Sequence, residues 1–76
     1  MTLPRTKAIL EVLRRGREEK LAARVLRVFG ASTIDEALAT YDSVGAAERA
    51  SIDETVARMT ADASAAFLIG VDNLSS

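Results

Sequence analysis

The side chains able to do chemistry in this sequence are carboxylates, hydroxyls, guanidiniums and two lysine amines, with no His and no Cys. General acid–base work near neutral pH falls most often to His, and a Ser or Thr nucleophile needs a base beside it. Only Lys7 and Lys20 could be that base, and both lie in strongly charged segments. Asp35, Glu36, Asp42, Glu48, Asp53, Glu54, Asp62 and Asp72 supply carboxylates, but helical spacing sets most of them opposite the apolar stripes, toward water. Asp35 and Glu36 also fall in a first helical turn, where negative charge offsets the helix dipole. There is no glycine-rich phosphate loop, calcium-loop spacing or metal-ligand cluster. The expectation is a non-catalytic protein that needs no cofactor and no metal.

The cations are unevenly placed. Residues 1–30 carry eight basic side chains against three acidic ones, and residues 31–76 carry two against eight. Arg14, Arg15, Arg17, Lys20, Arg24 and Arg27 are the densest group, and Lys20, Arg24 and Arg27 share one helical face. A stripe of this kind can hold phosphates through counterion release, face an acidic protein, or complement the chain's own acidic half. Against nucleic acid stand the formal net charge of −1 and the lack of interleaved Asn, Gln or aromatic residues. The segment Leu21–Tyr41 loosely resembles a DNA-binding helix-turn-helix, with Gly30 at the turn. It departs from that pattern at Glu36, where a buried aliphatic belongs, and Asp35 and Glu36 would repel phosphate from the second helix. A DNA-binding regulator using the basic hairpin is therefore the alternative reading.

The leading reading comes from the other end of the chain. Ala57, Ala61, Ala65 and Leu68 lie opposite the core stripe of a long final helix, which closes in a nearly all-apolar run that includes Ile69. A helix apolar on two faces needs cover on both, and a second copy could supply it. The expected function is thus a protein–protein interaction module that self-associates, a small regulator or assembly accessory. Arg outnumbers Lys eight to two, a bias that suits a bacterial or phage source.

These side chains must be positioned by helices. One domain over 1–76 is all the length allows, and a chain this short buries only roughly 60% of its unfolded surface. With 49% hydrophobic residues, three aromatics and abundant Ala, the core is helix-bundle material. We expect an all-α bundle of four helices at about 4–15, 18–29, 34–42 and 46–69, with the second and fourth central. Pro4 suits a first turn, and Gly16 and Gly30 suit helix ends. Thr33 with Glu36 forms a capping box, and Ser51 with Glu54 offers a later start for the last helix. Gly70 should end that helix, leaving 71–76 as a frayed tail. No stretch approaches a membrane span and no signal-peptide pattern is visible, so the expected location is cytoplasmic.

Overall fold

Pro4, with φ −54° and ψ 145°, turns the chain into the first helix, α1 (Arg5–Arg14). The computed structural model describes residues 2–75 and is all-helical. After α1 come α2 (Glu19–Phe29), α3 (Ile34–Ser43), α4 (Ala46–Thr60) and α5 (Ala65–Ser75). The break between α1 and α2 falls at Gly16, whose φ of +78° is costly for residues with a Cβ. Gly30, at φ +63°, ends α2 in a left-handed cap, and the Ala31 amide donates back to the Leu26 carbonyl. Thr33 Oγ1 accepts from the Glu36 amide at 3.1 Å, and Glu36 Oε2 accepts from the Ser32 amide. The capping box at the head of α3 is therefore present, with its return bond on Ser32.

The single rod expected over 46–69 is two helices. Thr60 turns its hydroxyl back onto the Val56 and Ala57 carbonyls as α4 closes. Ser64 then accepts the Phe67 amide on Oγ and so caps α5. The Ala-rich sequence here offers little large apolar volume to hold a helical phase, so a hydroxyl cap suffices to restart it. Two further expectations fall with the rod. Gly70 lies inside α5 rather than at its end, and residues 71–75 are helical, with Val71 completely buried. Ser76 lies outside the described residues. Helix α4 starts at Ala46 behind Gly45, so Ser51 and Glu54 do not open it.

The centre of the bundle is α1, not α2 and the last helix. It touches all four other helices, and its pairing with α5 is the most extensive. Thr6, Ala8, Ile9, Leu10, Val12 and Leu13 are all buried, so its apolar surface wraps well beyond one stripe. Around it close Val25 and Phe29 from α2, Ala37 and Tyr41 from α3, Val56 from α4, and Phe67 and Val71 from α5. Phe29 and Tyr41 meet edge to face with centroids 6.5 Å apart. A Cβ at Gly70 would sit 3.4 Å from Val12 Cγ2, an ordinary contact distance, so α5 packs directly against α1 at this point. Backbone contact between the two ends follows, the Leu3 amide donating to the Leu74 carbonyl at 3.1 Å. No helix is long and apolar enough to cross a membrane among the described residues.

Candidate interaction surface

Three cations on α1 reach acids of the second half. Arg5 meets Asp72 at 2.8 Å, Lys7 meets Asp42 at 2.6 Å, and Arg14 meets Asp35 at 2.7 Å. Arg14 also lies 3.4 Å from Glu11. Two more cations serve the acidic half itself. Arg58 pairs with Glu54 one turn away along α4. Arg49 donates to the carbonyls of Tyr41, Asp42 and Val44 at the end of α3, its guanidinium 5.3 Å from the Tyr41 ring centroid.

That leaves Arg15, Arg17, Lys20, Arg24 and Arg27. All five are exposed, and none makes an ion pair among the described residues. They are consecutive in the order of cations along the chain, from the α1–α2 turn to the last turn of α2. On α2 the phase is set by Val25 and Phe29, which point into the core. Lys20, Arg24 and Arg27 then fall within an arc of roughly 60° on the outer side at 100° per residue. Glu19 and Ala23 are the exposed residues beside them. Of the six cations singled out from the sequence, Arg14 is committed to α1 and α3, Lys20, Arg24 and Arg27 share the outer face of α2, and Arg15 and Arg17 stand beside the head of α5.

Between the α1–α2 turn and the head of α5 is a cavity of about 280 Å³, lined by Val12, Arg15, Arg17, Glu18, Ser64 and Phe67 among others. Ser64 Oγ donates to Glu18 Oε1 at 3.0 Å, which places a carboxylate at the α5 N-terminus. That end of the cationic surface thus carries its own internal anion.

The apolar candidates are scattered by the break in the rod. Ala57 is exposed on α4, Ala61 lies in the turn after it, and Ala65 is the first residue of α5. Leu68 is half-buried against the chain's own core. Ile69 alone among the large apolar residues described is exposed, at 60%. The continuous two-faced rod on which self-association was expected is absent.

Asp53, one of the carboxylates that helical spacing set mostly toward water, sits instead in a polar cluster among α1, α3 and α4. Asp53 Oδ1 accepts from Tyr41 Oη at 2.7 Å and from Thr6 Oγ1 at 2.5 Å. Burial raises the Tyr41 pKa above its ordinary value of 10.0, and the hydrogen bond and negative charge of Asp53 add to that. The helical phase offered a signal, since Asp53 stands only roughly 60° from Val56 at 100° per residue. Its oxygen is filled by two hydroxyls, so the cluster latches three helices together. No group of three or more acids suited to a metal occurs among the described residues.

No family model matches the chain, and no curated protein or solved structure matches it.

Proposed function

We propose that the chain is a non-catalytic interaction module whose working surface is the cationic outer face of α2 with the turn before it. Its partner on this reading is an anionic macromolecule. One contrast supports the reading: α1 spends its cations on the chain's own acids, while those of the turn and α2 remain unpaired. Like charges gathered on one face repel one another, and an anionic partner relieves that repulsion. Exposed pairs of the α1 type are each worth only about 0–1 kcal/mol, so they orient the helices more than they stabilise them. The proposal includes a cytoplasmic setting, where anionic polymers are abundant.

Retention on immobilised dextran sulfate tests this reading at matched charge. Arg24→Ala/Arg27→Ala and Arg5→Ala/Arg58→Ala each remove two positive charges. The first should elute at clearly lower salt than the second. Equal shifts would mean that net charge alone governs retention, and the surface would be rejected.

Self-association stands as a second reading, favoured by one observation. Ile69 is 60% exposed beside the exposed Ala65 and Ala66, so the head of α5 keeps a small apolar patch in water.

A further inference from the structure

The chemistry of the cationic face narrows its partner, given the reading that this face is the working surface. We infer that it docks on the phosphate backbone of duplex nucleic acid without reading bases.

A protein partner fits the face poorly. Interfaces between proteins bury an apolar centre, with aromatic and Arg anchors in pockets. The cations here have only Glu19 and Ala23 as exposed neighbours on α2, and no large apolar side chain stands exposed there. A target recognised by charge alone needs no such centre. Four of the five cations are Arg, whose planar fork matches phosphate oxygens in pairs. Lys20 to Arg27 spans about 10 Å of helix axis, a length over which a duplex carries on the order of six phosphates.

The same side chains decide between duplex and single strand, and between specific and general binding. Single strands are held by stacking bases on exposed aromatic rings. Phe29, Tyr41 and Phe67 are the chain's only aromatics, and all three are buried. Base edges in the major groove are read largely by Arg, Lys, Asn and Gln. The sequence has no Gln, and its one Asn, Asn73, lies on α5. Insertion of α3 as a reading helix is opposed by Asp35 and Glu36 in its first turn. With no adenine reader beside them, the α2 cations are assigned to backbone contact, which carries no sequence information, rather than to guanine edges. Exposed acids elsewhere, among them Glu48 and Asp62, would be repelled by phosphate and help to orient the α2 face toward it.

Fluorescence anisotropy with the full chain tests the inference. The probes are two unrelated 20-base-pair duplexes and one single strand of equal length. Both duplexes should bind within about threefold of each other and more tightly than the single strand. Raising salt from 50 to 200 mM should weaken duplex binding on the order of a hundredfold, as four or so phosphate contacts require. Lys20→Ala/Arg24→Ala/Arg27→Ala should lower affinity at least tenfold and flatten the salt slope by more than half, with helicity by circular dichroism unchanged. No duplex binding at 50 mM salt, preference for the single strand, or a variant with the parent slope would overturn it. If dextran sulfate retention still depends on Arg24 and Arg27 while the duplexes fail to bind, only the nucleic-acid assignment falls. If both fail, the cationic surface falls with it.

Discussion

Tyr41 and Thr6 donate their hydroxyls to the same oxygen, Oδ1 of Asp53, from two different helices. Both donors belong to buried residues and Asp53 is half-buried, so this one acceptor satisfies two groups that would otherwise lose water for nothing. Asp53→Ala should therefore cost about 2–4 kcal/mol, because it strands two hydroxyls rather than one. For a chain of this length that lowers Tm by on the order of 10–30 °C, readable by circular dichroism. A loss below about 3 °C would show that water replaces the carboxylate.

The same cluster fixes an alkaline limit. The folded state holds the Tyr41 proton more tightly than the unfolded chain does. The associated stability is fully present below pH 10 and is lost as pH rises through the folded-state pKa. With one Tyr in the chain, absorbance at 295 nm reports this group alone. Its midpoint should lie above that of the urea-unfolded chain, and Asp53→Asn should bring it down. Coinciding midpoints would contradict the geometry.

Two glycines should respond in opposite directions to alanine. Gly30→Ala forces a Cβ into φ +63° and should destabilise by about 1 kcal/mol. Gly70→Ala places its methyl in ordinary contact with Val12, inside a helix. It should stabilise by roughly 0.5–1 kcal/mol through propensity. Urea denaturation distinguishes the two, and a destabilised Gly70→Ala would mean that α1 and α5 have no slack.

Val71→Ala removes two methyls from a fully buried site and should cost about 2 kcal/mol. Were residues 71–75 a loose tail, the change in urea midpoint would be negligible.

Ile69→Glu tests self-association with less disturbance of the core than a change at Leu68. Light scattering of the parent chain should give a mass above 8.1 kDa that falls to the monomer value in the variant. A monomeric parent removes this second reading and leaves the cationic surface untouched.

The helical class and the first three helices were legible because large residues and glycines mark them. Gly16 and Gly30 take positive φ where the sequence required breaks, and Thr33 caps α3. The last third was misread because its alanines fit a helix in any phase, which hid the hydroxyl signals of Thr60 and Ser64. The apolar run at Phe67–Val71 looked like surplus only while Gly70 was taken as a stop. Once α5 continues through it, Phe67 and Val71 are buried against α1. The cationic group was visible in the sequence, but its division was not. Which cations are free depends on acids as distant as Asp72 from Arg5, and no local pattern encodes that pairing.

The pairing of α1 with α5 also has a consequence in time. Emerging from a ribosome, α1 would have to wait for the segment from 65 to 75 before its most extensive neighbour exists. Until then Val12 lacks the Gly70 backbone that will lie against it. Contacts so far apart in sequence are slow to close. The nascent protein therefore completes its core late, even though every element in it is a short, locally formed helix.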